Sequence, residues 1–414
     1  AARMSEANGT PSILQRPTTN DRGIWKAYWK EQGQPWRTEP EIDQVRQAFL
    51  SERLAVTPDV EQGIYPFTNM KLSRADVEWL LATHEQGQGP VDWSDEHQHE
   101  RLGLDLRGAD LCQVNLQRLP LIRMRGGLDS YEWHEASEAQ RAMAAARLQK
   151  ADLRWARLEG AHLRWAHLEG ADLRFAHFER AHLRGAYLVG TNLCDAYLER
   201  ARLEQAIMSD DRRRGPRLAD VKWGDVNLTI MKWSQVEILG DEYEAEQKVH
   251  FGKVKDTTTR LTEYEIAVRA NRQLAIALQT QGLNEEAARF AYRAQKLQRV
   301  VLRRQRKFWQ YFFSIFLDVL AGYGYRPMRS VISYFVIIIG FGLLYHAFGR
   351  LSLFPPDAFV YSLTSFHGRG FFPGLETKPS LHDPLVMLAA VEAVVGLLIE
   401  ISFIATFTQR FFGK

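Results

Sequence analysis

The feature that most restricts what this chain can fold into is a repeat of five residues. From residue 146 the chain reads ARLQK ADLRW ARLEG AHLRW AHLEG ADLRF AHFER AHLRG AYLVG TNLCD AYLER ARLEQ, twelve units without a break. A period of five matches neither the 3.6 of a helix nor the 2 of a strand. It fits a solenoid in which each unit is one side of a square and four units close a coil. The central Leu and the Ala two before it then point inward, and the other three positions face solvent. An earlier block, 104–123, holds four weaker units (LDLRG ADLCQ VNLQR LPLIR), and 124–145 reads as an insertion with a short helix at SEAQRAMAA. After Met208 the register fades through DDRRRGPR, leaving weak echoes at 219–221 and 226–228.

With their A(D/N)LXX pattern these units resemble the pentapeptide-repeat family, over about a quarter of the chain. The resemblance implies a right-handed quadrilateral β-helix. Residues twenty apart would stack on one face, about 4.8 Å from coil to coil. The residue after the central Leu alternates Arg154, Glu159, Arg164, Glu169, Arg174, Glu179, Arg184. Two opposite faces should carry Arg columns (Arg154/Arg174 and Arg164/Arg184), with Glu columns between. Either Arg and Glu pair laterally around the coil, or an Arg face beside Trp155, Trp165 and Phe175 docks a protein partner or another subunit. Some family members mimic DNA with an acidic surface. Here 146–208 carries ten Arg or Lys against eight Asp or Glu, so that surface is absent. His162, His167, His177 and His182 read as outward coil residues, with pH sensing as the alternative.

Outside the repeats, 1–100 is a mixed helical leader. Helical spacing appears at 40–54 and at 73–84, the latter behind a Ser cap, and Trp25, Trp29 and Trp36 are expected to pack it. Residues 1–30 are polar and contain no apolar core of a secretory signal. The net charge of +3 supports no argument for nucleic-acid binding. Cys112 and Cys194 define no disulfide framework and fit a reducing compartment. No nucleophile–base pair, metal-ligand spacing or phosphate loop is legible. We therefore expect no enzyme, no cofactor and no metal. Residues 261–281 and 284–304 read as an αα-hairpin around Gly282. It ends in RRQRK (303–307), a basic run directly before the first apolar segment and suited to anionic lipid.

From 308 the chain becomes apolar. FWQYFFSIFLDVL (308–320) is too short to span a bilayer and reads as an interfacial helix, followed by a turn to 329 broken at Pro327. Residues 330–348 are nineteen positions without a formal charge between Arg329 and Arg350, and 384–407 is a second stretch of spanning length. Basic residues cluster before the first and after the second. The expectation is a multi-pass protein of a bacterial inner membrane with both termini cytoplasmic and 349–383 outside.

Between these stretches lies PPDAFVYSLTSF (355–366), a short helix by its two prolines and Asp357, and then HGRGFFPG (367–374). Span, half-helix, Gly-x-Gly loop and second span together resemble the two-transmembrane pore-loop ion-channel domain of the potassium-channel superfamily, over roughly 330–412. The resemblance implies a homotetramer around an ion pathway. His367, Gly368, Arg369 and Gly370 occupy the place of that family's Val-Gly-Tyr-Gly filter, and Gly396 the place of its inner-helix hinge. The departures are Phe366 for a filter Thr, His367 for Val, Arg369 for Tyr and Phe371 for Asp, and none supports potassium selectivity. The residue at the Arg369 place points away from the axis, so a buried carboxylate should meet it, and Glu392 is the candidate. Glu400, two turns on, should line the cavity as one quarter of an acidic ring. A hydrogen-bonded helix–helix contact is the alternative for either Glu.

The expected fold is multidomain: a leader (1–100), the repeat β-helix (101–235, insertion 124–145), a cytoplasmic αα-hairpin linker (242–307), an interfacial helix and turn (308–329), and an α-helical two-span pore-loop domain (330–414). The expected function is a tetrameric channel in the lipid bilayer that passes inorganic cations without potassium selectivity, gated or localised by the repeats, with no nucleic-acid partner. An Arg369 ring facing the axis would favour anions instead. A non-conducting membrane-anchored scaffold is the alternative from another class.

Overall fold

The computed structural model describes residues 15–250, 252–348, 355–368 and 384–411. They form two compact units, Ala1–Tyr243 and Glu244–Lys414.

The first unit is built on the repeats. Ala and Leu at the first and third positions are sealed inside: Ala151, Leu153, Ala156, Leu158, Ala161 and Leu163 are all buried, and Phe178 takes a Leu place without becoming exposed. Each Leu contributes roughly 2 kcal/mol by leaving water, and together they form a continuous apolar column. Coil stacks on coil through parallel bridges between residues twenty apart, such as Arg147 with His167, Asp152 with Asp172 and Arg157 with His177. These bridges are single residues, and within the coils no extended strand forms among the described residues. The reason is the fifth position. Lys150, Trp155, Trp165, Phe175 and Arg180 all sit at φ between 56° and 61°, and Gly160, Gly170, Gly185 and Gly190 take the same left-handed conformation. A left-handed residue every fifth position turns the chain before a strand can extend.

The stack tolerates two interruptions. Asp110 bridges Arg147 and Arg125 bridges His162, so the segment carrying the insertion loops out and the next coil resumes in register. That insertion holds two short helices. One of them, Glu138–Ala144, lies behind the Ser137 cap within the expected SEAQRAMAA stretch. The charged loop after Met208 is the second interruption. Beyond it Arg217 pairs with Asn192, Lys222 with Tyr197 and Ile238 with Arg214, so the coil continues where the sequence register fades.

Three further helices precede the repeats: α1 (Arg22–Glu31), α2 (Gln44–Leu54) and α3 (Arg74–Gly87). Asp21, Asp43 and Ser73 cap them through their side chains. Trp25 and Trp29 of α1 are buried, with the Arg37 guanidinium 3.4 Å above the Trp29 ring. The insertion helices are α4 (Ser130–Glu135) and α5 (Glu138–Ala144), and α6 (Gly240–Glu246) follows the coils. Both cysteines are free thiols, and burial pushes the Cys194 thiol up to about 12, which leaves it unreactive.

The second unit is helical. After a two-residue hairpin (Val249–His250 with Lys253–Val254) come α7 (Thr257–Thr280) and α8 (Asn284–Arg304), turned by Gly282 at φ 80°. Tyr264, Ala267, Val268, Leu297 and Val301 form their seam. Next is α9 (Phe308–Ala321), aromatic and largely exposed at Phe308, Trp309, Phe312 and Phe313. Then follow α10 (Pro327–Phe348), α11 (Pro355–Phe366) and α12 (Pro384–Phe411). Within α10 and α12, Met328–Ala347 and Pro384–Ile404 are long and apolar enough to cross a membrane. Few of their residues are buried within the chain. Ile332, Phe335, Val336, Ile339, Leu343, Val391, Val394 and Ile401 are each half exposed or more. Together these residues leave a contiguous apolar face that the chain itself does not cover.

One carboxylate ties three of these helices. Asp318 of α9 accepts from Tyr292 Oη (2.9 Å) and Arg299 Nη1 (2.9 Å) of α8, and from Arg329 Nη1 (2.9 Å) of α10. Burial alone would raise the Asp318 carboxyl, but the hydrogen bonds from Tyr292 and Arg299 outweigh it and hold it below the usual range.

Candidate functional site

The candidate site lies where the C-terminal end of α11 meets α12. Three successive contacts join the two helices, and each depends on one residue of α12 on the same helical stripe.

The first is centred on Glu392, which has no exposed surface. Its Oε2 accepts from Tyr345 Oη of α10 at 2.6 Å, and its Oε1 accepts from Ser362 Oγ of α11 at 2.5 Å. Both oxygens are therefore engaged by hydroxyls from two different helices. The Ser362 hydroxyl also lies 3.0 Å from the Ile338 carbonyl of α10. The Tyr345 ring meets Tyr361 edge-on at 4.6 Å, and Ala358 and Ala389 close the pocket around it.

The second contact is Gly396. A Cβ there would lie 2.2 Å from the Phe366 carbonyl oxygen, so only glycine lets α12 approach the end of α11 this closely. Gly342 of α10 does the same against the Phe359 ring, 2.5 Å from where its Cβ would be. Phe366 itself is buried against Leu320 and Ile399, and edge-on to Tyr334 at 4.9 Å.

The third contact is ionisable. His367 Nδ1 lies 2.5 Å from Glu400 Oε1, and Tyr334 Oη lies 3.4 Å from His367 Nε2. Both members of the pair are about 40% exposed, so this contact borders the free surface while the Glu392 contact is sealed. Gly368 follows at φ 69°, a left-handed turn out of the helix.

Of the residues expected from the sequence, His367, Gly368, Glu392, Gly396 and Glu400 are thus brought to one helix junction. The Phe366 side chain is turned into the core of the unit and away from any open surface. For Glu392 the structure supplies the hydroxyl partners Tyr345 and Ser362. Arg369, the partner expected for it, and Gly370 lie outside the described residues. Tyr345 and Ser362 were not anticipated.

In the first unit the expected charge pattern is revised. Arg154 and Arg174 do not reach Glu around the coil. They pair with Asp152 and Asp172 two residues earlier in their own unit, each at 2.7 Å. The register explains it, because positions two and four of a unit sit on the same side of one short turn. The second Arg face is not open either. Arg164 is buried, donating to the Leu128 carbonyl (3.0 Å) and Ser130 Oγ (2.6 Å) of the insertion, and Trp133 of α4 packs edge-on to Trp165 at 5.2 Å. Trp155 and Phe175 remain as a stacked pair at 4.2 Å, with Trp155 exposed. The histidines are not free outward residues. His162 stacks on His182 at 5.0 Å, and His167 and His177 hydrogen-bond Glu169 and Glu179.

Comparison with a known family agrees with the repeat pattern of the sequence. The chain matches the family described as pentapeptide repeats, in eight copies, over residues 146–185 and 171–210. Among solved structures it is similar to a pentapeptide repeat protein, Rfr23, from the cyanobacterium Cyanothece 51142: 26% identity over 30% of this chain and 83% of that one, TM-score 0.19. It is also similar to QnrB1, a plasmid-mediated fluoroquinolone resistance protein (14% identity, 33% and 79% covered, TM-score 0.15). A third is HetL of Nostoc sp. strain PCC 7120, involved in heterocyst differentiation regulation (24% identity, 36% and 55% covered, TM-score 0.12). No curated protein matches the chain. The first unit carries pentapeptide repeats.

Proposed function

We propose that the chain is one subunit of a homotetrameric pore-loop channel that passes cations without potassium selectivity. In this reading the repeat unit, a right-handed quadrilateral β-helix by its units, serves as the cytoplasmic domain that gates or localises the pore.

The reading rests on the half-helix α11. It is too short to cross a bilayer, lies in sequence between two helices of spanning length, and ends against the second of them at Phe366–Gly396 and His367–Glu400. Backbone that stops short at membrane depth is stable only where it lines water or packs in protein. The sealed Glu392 contact holds α11 at Ser362, one turn before its end, and the exposed His367–Glu400 pair marks where water would begin. The negative end of the α11 dipole lies at His367, where it favours a cation. One chain supplies one half-helix, so an axial pathway needs several copies, and the superfamily resemblance implies four. The uncovered apolar faces of α10 and α12 supply surface for both lipid and neighbouring subunits. The exposed aromatics of α9 suit the headgroup layer of an inner membrane.

The direct test is flux. Liposomes holding the purified full chain should release Na⁺ and K⁺ at similar rates and retain Cl⁻, and cross-linking should produce a ladder that stops at four. Liposomes as tight as protein-free ones, with the tetramer intact, would instead favour the scaffold.

A further inference from the structure

The repeat coils bring together a second set of ligating groups that the pore reading does not use. One ligand atom each of Glu159, His177 and Glu179 lies within 4.8 Å of the others, the one group of this kind among the described residues. The coil makes it. Glu159 and Glu179 are twenty residues apart and so occupy the same place in successive coils, and His177 precedes Glu179 by two on the same side. Their backbones are locked by the parallel bridge of Arg157 to His177.

We propose that this face of the repeat unit binds a divalent transition metal of the Zn²⁺ class through Glu159, His177 and Glu179.

Three observations carry the assignment. The Glu159 side chain is only 5% exposed, yet its Oε2 has no hydrogen-bond partner, and Glu179 Oε2 is likewise buried and unpartnered. Buried carboxylate oxygens normally have donors, so two bare ones on residues stacked in successive coils mark a place for a cation. Arg157 does not fill it. Its Nε donates to Glu159 Oε1 at 3.0 Å, which leaves Oε2 free, and its own side chain is 42% exposed. The third ligand is a nitrogen. His177 Nδ1 lies 3.0 Å from Glu179 Oε1, and the ring is held face-to-face on Tyr197 at 4.5 Å. Imidazole with two carboxylates selects a late first-row divalent ion over Ca²⁺ or Mg²⁺, which prefer oxygen alone. As a ligand Nδ1 must be bare, so the neutral ring then carries its hydrogen on Nε2. Burial, with Glu179 alongside, already raises the Glu159 carboxyl above its ordinary range, and a cation would relieve both. His177 and Glu179 keep part of their surface in solvent, so a water or a partner's ligand can take the fourth position.

The neighbouring face is a built-in control. His167 and Glu169 repeat the same pair at 2.9 Å, and Glu169 Oε2 is bare as well, but twenty residues before Glu169 stands Gln149, so the second carboxylate that completes a site is missing.

The test is calorimetric titration of Zn²⁺ into the full chain in detergent. Wild type should bind one Zn²⁺ per chain at this site. Glu159→Gln and His177→Gln should each weaken it at least 30-fold, and His167→Gln should leave it unchanged. Arg157→His places a second imidazole beside Glu159 and should strengthen binding at least tenfold. Zn²⁺ affinity equal in wild type and Glu159→Gln would overturn the proposal, as would equal loss in His167→Gln. Should Glu159→Gln fail to fold by circular dichroism, Arg157→His decides alone: no gain in affinity overturns the site.

Discussion

Tyr345 donates its hydroxyl to the buried carboxylate of Glu392 at 2.6 Å, forty-seven residues away in sequence. With Ser362 on the other oxygen, this makes Glu392 the point at which α10, α11 and α12 are fastened together. Removing the carboxylate leaves the buried Tyr345 hydroxyl in want of an acceptor, at about 1–3 kcal/mol, and an unfilled space beside it, while Ser362 keeps the Ile338 carbonyl. Glu392→Ala should therefore lower the unfolding midpoint of the helical unit in detergent by several degrees. Glu392→Gln should cost much less, because its carbonyl accepts from Tyr345 while Ser362 turns to the Ile338 carbonyl. Equal loss in both variants would show that the charge, and not the acceptors, matters.

Gly396 is fixed by contact. The Cβ of Gly396→Ala would fall 2.2 Å from a backbone oxygen that cannot turn aside, so α12 must shift. Overpacking of this kind costs about 1–3 kcal/mol. Thermal unfolding in detergent checks it, with Gly340→Ala, where a Cβ meets nothing within 4 Å, as the neutral comparison.

Asp318→Ala removes the shared acceptor of Tyr292, Arg299 and Arg329. Allowing for the part-exposed arginines, the cost should be roughly 2–3 kcal/mol. It should appear as faster amide exchange in the last turns of α8 and the first turn of α10, while the seam of α7 and α8 stays protected.

The repeat unit should weaken in mild acid. Burial first, then Arg123 and Arg164, holds His162 down at about 4, and burial with Arg164 holds His182 at about 3. Unfolded histidine titrates near 6.5, so from there down to about 4 the unfolded chain binds more protons than the folded one. Stability thus rises with pH in this window and is lost as pH falls through it, by on the order of 2 kcal/mol per ring. Urea unfolding followed at pH 7 and pH 5 should show the drop, and His182→Asn should reduce it.

What the sequence displayed, and what it hid, follows from range. Ala151 and Leu153 announce the coil because the period repeats locally, and the caps Ser73 and Ser137 announce their helices within three residues. The capping box of Asp129 and Glu132 carries the same local signal for α4. Burial of Arg164 depends on that insertion folding back on its own coil, which no local pattern records. Glu392 lay open as an ionisable residue in a span, but Tyr345 and Ser362 come from two other helices. The group at Glu159, His177 and Glu179 was within reach, since a His-x-Glu with Glu twenty residues earlier is a stacking pattern. Its two carboxylates lie twenty residues apart, and only the stacking of coil on coil makes them neighbours.

The pore itself is tested most directly by the reversal potential of the purified full chain in planar bilayers under bi-ionic gradients. A cation pore without potassium selectivity gives a potential set by cations, close to zero for K⁺ against Na⁺ and unmoved when Cl⁻ is replaced by a large anion. Glu400→Gln should reduce the cation preference. A potential that follows Cl⁻ and loses that dependence in Arg369→Ala would contradict it, as would a tetramer that carries no current.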